Sequence, residues 1–399
     1  MAAPYPCLTA DIPGTGGIFK ESAEDFEVTE LPLYPPCGSG EHTYVLVEKT
    51  GLTTLEMLRR LAKAAGVQER ELGYAGMKDA RGITRQTVSV PRVPPERLLG
   101  LEIPGIRILS AELHANKLRL GHLAGNRFRI RLRQVADDAP VHAAAVLEIL
   151  RRRGVPNYFG EQRYGSQGNS AEVGRKLLQG DHEGAVRALV GTGESVRDER
   201  WRGGIAAFRD GRLDAALELL PGNCRTEREI VRMLLRKPGE WQRAVKSIHP
   251  RLVALYLSAC QSELFDRVVA ARMPALDTLL AGDIACKHAN GACFLVADPA
   301  EAIPRAAAFE ISATGPMFGR KMLLPEGAAA ALEAEILADS GLSAAAFGQE
   351  GPLRLEGERR PLRVPLQGPA VRQEGDDLLL EFALPKGSYA TSVLREIMK

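Results

Sequence analysis

One carboxylate, Asp79, stands in a glycine-punctuated stretch, Gly73-Tyr74-Ala75-Gly76-Met77-Lys78-Asp79-Ala80-Arg81-Gly82, that runs on into Ile83-Thr84-Arg85-Gln86-Thr87-Val88-Ser89. Cations and amides flank it on both sides. An ionised aspartate aimed at an electrophilic carbon is a nucleophile, and Asp79 is read as that group. Gly73, Gly76 and Gly82 permit positive φ and close backbone approach. A short strand can therefore enter, a tight loop can present Lys78 and Asp79, and residues 84–90 can leave as a second strand. Taken by itself, a carboxylate in such a turn is more often a solvated surface group.

The elements that must hold this loop are legible on either side of it. Upstream, residues 18–20, 26–30 and 42–48 alternate as strands do. Gly14-Thr15-Gly16-Gly17 before them reads as a turn, because it lacks the third glycine and the following helix of a dinucleotide fingerprint. Phe26, an aromatic among acids, is a core anchor or a stacking platform. Thr53-x-x-Glu56 is a capping box, and Leu55, Leu58 and Leu61 at helical spacing up to Gly66 predict a helix over 54–65 with Arg59, Arg60 and Lys63 on its exposed side.

Downstream, residues 116–133 read as a hairpin turning at Gly125-Asn126. Its second strand puts Asn126 and Phe128 on the apolar side with Ile130 and Leu132. Arg127, Arg129, Arg131 and Arg133 line the other side. Such a row repels itself unless an anion such as RNA, or carboxylates, meet it. A helix is predicted over 140–153, ended by Gly154, and then a loop, 154–165, in which two aromatic pairs surround Arg163. That loop suits a domain junction or a nucleotide contact. Residues 170–275 are helical in pattern, an alanine-rich helix lies near 328–338, and breaks fall at 348–352. Strand character returns at 363–365 and 377–382, before a loop carrying Tyr389 and a terminal helix.

Composition bounds the class. The chain has 399 residues, 45% hydrophobic and 5% aromatic, enough for two or three globular domains. A net charge of +2 is too mild to name a partner. Cysteines at 7, 37, 224, 260, 286 and 293 form no C-x-x-C pair and have no histidine at finger spacing, so neither a zinc site nor a disulfide framework is indicated. No export signal and no bilayer-length apolar run is present, which gives a cytoplasmic expectation.

Five motifs in order resemble the TruD family of tRNA pseudouridine synthases over nearly the whole chain. The most specific is Gly73-Tyr74-Ala75-Gly76-Met77-Lys78-Asp79 with Thr84-Arg85-Gln86. The others are Glu24-Asp25-Phe26, Gly125-Asn126-Arg127-Phe128, Asn157-Tyr158-Phe159-Gly160-Glu161-Gln162-Arg163-Tyr164-Gly165 and Leu384-Pro385-Lys386-Gly387-Ser388-Tyr389-Ala390-Thr391.

The resemblance implies an α+β catalytic domain with a largely antiparallel mixed sheet, split into residues 1–155 and 356–399. A mainly helical insertion domain, 156–355, would form an RNA cleft with it. It implies Asp79 as catalytic nucleophile with Lys20 as basic partner, and Phe26, Asn126, Phe128 and Tyr389 around the target uridine, tyrosine standing where the family often has phenylalanine. Arg127, Arg129 and Arg163 become RNA contacts. The substrate would be the uridine at position 13 of tRNA, flipped from its stack and isomerised by a monomer without metal or other cofactor. The alternative is a non-catalytic RNA-binding or RNA-chaperone protein of the same fold. A carboxylate hydrolase is disfavoured, because Glu71 and Asp79 give no sign of meeting.

Overall fold

The computed structural model describes residues 5–348 and 353–399, so the last of the breaks expected at 348–352 lie outside the described residues. The chain divides into two compact units. One comprises Cys7–Val155 with Val364–Lys399; the other comprises the residues up to Pro6 with Pro156–Arg363.

The first unit is built on a nine-stranded sheet. Its main path runs Gln367–Glu374, Asp377–Pro385, Leu123–Arg133, Phe26–Pro32, Ile83–Pro91, His42–Thr50, Ile106–His114. The short strands Ile18–Phe19 and Gly73–Tyr74 pair onto Leu123–Arg133 and Ile83–Pro91. Every pairing is antiparallel except the central one. There Phe26–Pro32 and Ile83–Pro91 run parallel through only three register pairs, Glu27 with Ile83, Val28 with Thr84 and Thr29 with Arg85.

Period-two alternation buries one face of this sheet under helices, in two separate cores. Phe26, Val28, Phe128, Ile130, Leu132, Leu378, Leu380 and Phe382 pack with residues of helices Ala139–Arg153 and Ala390–Met398. Val45, Val47, Val88 and Val90 pack with Met57, Leu58, Leu61 and Ala62 of helix Thr54–Ala65. Ile130 and Leu132 are fully buried, so truncating either to alanine is worth about 2–5 kcal/mol. Thr53 caps the Thr54–Ala65 helix, accepting from the Glu56 N–H, and Gly66 ends it at φ 75°. Leu55 departs from expectation. It is exposed, and Met57, two residues on, takes the core position.

The hairpin expected over 116–133 does not form. Residues 116–120 carry no strand, and the Leu118 N–H donates instead to Ser89 Oγ at 3.0 Å while Leu120 is exposed. Leu123–Arg133 pairs with partners distant in sequence on both sides. Gly125 and Asn126 lie inside that strand, not in a turn. A Cβ at Gly125 would sit 2.2 Å from the Leu384 carbonyl oxygen, so the glycine serves close strand approach.

The second unit contains helices from Ser170–Leu178 to Gly327–Asp339, the longest being Pro250–Ala271. It also holds a four-stranded sheet, ordered Cys293–Leu295, Ile284–Lys287, Ile311–Met317, Glu358–Pro361, that helical periodicity did not announce. The last strand explains why this unit extends to Arg363 and not to 355. Thr314 to Met317 pair with Pro361 to Glu358, and Arg359 forms a buried ion pair with Glu333 at 2.7 Å. Among the described residues, no helix is long and apolar enough to cross a membrane.

Candidate active site

The site lies in the first unit, at the parallel seam between its two cores. Two glycines of the loop are demanded by geometry. A Cβ on Gly73 would approach the Leu118 carbonyl oxygen to 2.2 Å, and one on Gly82, at φ 152°, would meet the Phe26 carbonyl oxygen at 2.5 Å. Gly76 has neither positive φ nor a tight neighbour.

Between these glycines the main chain is tied down by buried polar side chains. Thr54 Oγ1 accepts from the Lys78 N–H at 2.8 Å and donates to Gln86 Oε1 at 3.1 Å, and Gln86 Nε2 donates to the Gly76 carbonyl at 3.3 Å. Lys78 points away from Asp79. Its ammonium is paired at 2.7 Å with Glu30, both side chains being at most 5% exposed, and the second Glu30 oxygen accepts from the Thr87 N–H. Lys49 Nζ donates to the Asp79 carbonyl at 2.8 Å and the Leu52 carbonyl at 2.6 Å.

This leaves the Asp79 carboxylate facing Lys20. Lys20 Nζ donates to one carboxylate oxygen at 2.5 Å, and the Arg81 N–H donates to the other at 3.0 Å. Lys20 occupies the left-handed region at φ 59°, a conformation that non-glycine residues keep only where the surroundings enforce it. Its ammonium stands 3.8 Å from the centroid of the Phe26 ring, which Phe19 meets edge-on at 5.6 Å. Burial favours the neutral carboxyl of Asp79. The Lys20 hydrogen bond, the Arg81 and Ala80 N–H groups and the Lys20 charge together overcome it and hold the group below its ordinary 3.8. Asp79 is therefore ionised throughout the neutral range, oriented, and part-exposed.

The remaining expected site residues are distributed as follows. Asn126 stands in register between Glu30 and Leu384, and its Oδ1 is buried without a partner among the described residues. Phe128 is a core residue, its ring 6.3 Å from Phe26 and 5.5 Å from Phe382, so it backs Phe26. Tyr389 is half-buried at the N-terminus of Ala390–Met398, following a loop whose Lys386 N–H donates to the Ala124 carbonyl.

Arg127 is exposed and has no ion pair among the described residues. Arg129 pairs with Glu27 and Glu381, Arg131 with Glu374 and Asp377, and Arg133 with Asp25 and Glu21. Carboxylates thus meet most of the arginine row. Arg163 belongs to the other unit, where it donates to Ser258 and to Ser262, the latter at 3.0 Å. Its loop is likewise engaged there, with the Phe159 N–H and Tyr164 hydroxyl both on Asp266. Glu71 pairs with Arg92.

Sequence reasoning missed Glu30, Lys49 and Thr54 and left Gln86 without a role, yet a signal was present. Glu30 shares the phase of Phe26 and Val28, Lys49 that of Val45 and Val47, and Gln86 that of Val88 and Val90. Thr54 shares a helical face with Leu58 and Leu61. Each is a polar side chain at a core position, which demands a partner.

A family model described as tRNA pseudouridine synthase D (TruD) matches residues 5–397. The chain belongs to that family. A relative from Geobacter sulfurreducens, named tRNA pseudouridine synthase D, is 62% identical over 392 residues, covering 98% of this chain and 96% of its own. One of the same name from Thermus thermophilus is 41% identical over 398 residues, covering 99% and 92%. In fold, the crystal structure of a Methanosarcina mazei chain assigned to TruD superposes with a TM-score of 0.88 at 24% identity, over 100% of this chain and 98% of that one.

Proposed function

We propose that this chain isomerises a uridine of tRNA to pseudouridine with Asp79 as nucleophile, the substrate position being the uridine at 13 that the family resemblance implies. The observation that carries this reading is the ionised, oriented Asp79 carboxylate on Lys20 and the Arg81 N–H, in a chain of this family. The isomerisation exchanges the N1–C1′ bond for a C5–C1′ bond while a proton leaves C5 and one is gained at N1, so atoms and electrons balance within the substrate. Addition at C6, attack at C1′ and passage through a glycal differ in the atom Asp79 meets. All three need an ionised carboxylate held against a flipped nucleotide.

The other residues take roles that fit their surroundings. Lys20 holds Asp79 ionised and its ring neighbour Phe26 in place. The unpartnered Asn126 Oδ1, which costs about 1–3 kcal/mol while unsatisfied, suits a donor on the base or ribose. Tyr389 suits stacking on the flipped base, worth about 1–3 kcal/mol against an extrusion cost of a few kcal/mol. Arg127, without a carboxylate partner among the described residues, is the member of the arginine row best placed to meet phosphate. The protein acts as a monomer in the cytoplasm, where tRNA is its partner.

Incubating the protein with tRNA transcript and mapping pseudouridine tests the reading. Product is expected from wild type and none from Asp79→Asn. A wild type without product, or an Asp79→Asn variant with undiminished product, overturns it.

A further inference from the structure

Lys49 is among the largest fully buried side chains of the described residues, 1% exposed, next to the last residue of strand His42–Thr50 and at the phase of Val45 and Val47. A methionine or leucine would fill that volume without desolvating a charge. Among the described residues no carboxylate lies within ion-pair distance of Lys49, and its ammonium donates only to the main-chain carbonyls of Asp79 and Leu52. The strands beside it present Thr84 and Ile106. The charged groups that act on it come from the loop alone: Asp79, and Lys78, which Glu30 already neutralises.

We propose that Lys49 is a positioning residue for catalysis, fixing the main chain of Asp79 from behind and placing a second positive charge near the carboxylate that Lys20 holds from in front. The proposal rests on the reading of Asp79 as nucleophile. It accounts for a lysine in a core position: one ammonium pins the carbonyl of the nucleophile and that of Leu52, at the mouth of the Thr54–Ala65 helix whose Thr54 holds Lys78. The loop is thereby gripped from strand and helix together. A displacement of about 1 Å at a reacting group loses roughly 100-fold in rate.

Burial, partly offset by Asp79 and reinforced by Lys78, pushes the Lys49 pKa from 10.5 down to about 8. The ammonium therefore holds the loop at neutral pH and releases it as pH rises past 8. The stability consequence has the opposite sign. Between 8 and 10.5 an unfolded chain keeps the proton that the folded chain has given up, so folding becomes more favourable with rising pH.

The experiment compares wild type, Lys49→Met and Asp79→Asn on tRNA transcript, measuring single-turnover rate and tRNA affinity from pH 6 to 10, with thermal melts across the same range. Lys49→Met is expected to lose about 10- to 100-fold in rate. Its tRNA affinity should stay within about twofold and its Tm at pH 7 should equal or exceed that of wild type, the difference shrinking towards pH 10. The wild-type rate should fall above pH 8, and Lys49→Met should lack that fall. A variant with the full rate and the wild-type pH profile overturns the proposal. So does a rate loss matched by a fall in Tm at pH 7 with the pH profile unchanged, which would make Lys49 a packing residue only. Product from Asp79→Asn, or none from wild type, removes instead the functional reading on which the proposal stands.

Discussion

The two faces of the first unit's sheet carry charge in opposite ways. On the face away from the helices, Arg107, Glu48, Arg85, Glu27, Arg129, Glu381 and Arg372 form one alternating chain across seven strands, with successive contacts of 2.8, 2.7, 3.0, 2.8, 3.5 and 3.3 Å. Two of its four arginines, Arg107 and Arg372, are more than half exposed, and each sign is answered by its neighbour. On the helical face charges are few, buried and committed to single tasks. Lys78 and Glu30 pair with each other, Lys49 binds carbonyls, and Asp79 keeps part of its charge turned outward. Surface ion pairs are worth about 0–1 kcal/mol each, whereas a buried charge stripped of its partner costs about 3–5 kcal/mol. The first face is redundant in charge; on the second, removing one partner leaves a buried charge unanswered.

The largest effect that would sharpen this contrast is Asp79→Asn, which should lower pseudouridine formation by roughly 10⁴-fold or more, the scale of removing a nucleophile, with the melting curve nearly unchanged. A comparable loss from any one residue of the open-face chain would break the comparison. Next comes Glu30→Gln, which strands the Lys78 ammonium in the interior and should cost about 3–5 kcal/mol of stability by denaturant titration. A cost below about 1 kcal/mol would mean that the Glu30–Lys78 pair is no different in kind from a surface pair.

Lys20→Met should reduce the rate by about 10- to 100-fold and move the acid limb of the pH–rate profile upward. Without the Lys20 hydrogen bond and charge, burial prevails and the Asp79 carboxyl protonates at higher pH. In wild type the depressed pKa also contributes stability above the unfolded value, which is lost as pH falls through the folded one. An acid limb that stayed in place would separate Lys20 from Asp79 ionisation. The smallest effect belongs to Arg129→Gln. It should change stability by less than about 1 kcal/mol, shrinking further in 1 M salt, where charges separated by more than about 3 Å are screened. A larger, salt-insensitive loss would show the open face to be cooperative.

Local rules read much of this architecture. Capping and apolar spacing placed the Thr54–Ala65 helix to its ends, and Gly154 closed the Ala139–Arg153 helix as expected. Alternation placed Phe128, Ile130 and Leu132 inward and the arginines outward. The failures share a cause. The false hairpin arose because Gly125-Asn126 has turn composition, while what selects glycine there is the approach of Leu384 from the far end of the chain. Nor does a local window show which carboxylates meet the arginine row, because Glu27, Glu374, Asp377 and Glu381 lie on strands remote in sequence. The strand Glu358–Pro361 joins the second unit by pairing with Ile311–Met317, a choice invisible to a local window.

By itself the sequence determined the loop and its lone carboxylate: glycine spacing, a single acid and the motif set that identifies the family are properties of neighbouring residues. It also determined which faces of each strand are apolar, since side chains alternate wherever a strand runs. Tertiary structure alone decided which cation meets which anion. Lys78 adjoins Asp79 in the chain yet turns to Glu30, while Lys20, just past strand Ile18–Phe19, and Lys49, in strand His42–Thr50, arrive to grip the carboxylate and its main chain. Ion pairing depends on distances of a few ångströms between elements tens of residues apart, and only the closed sheet sets those distances.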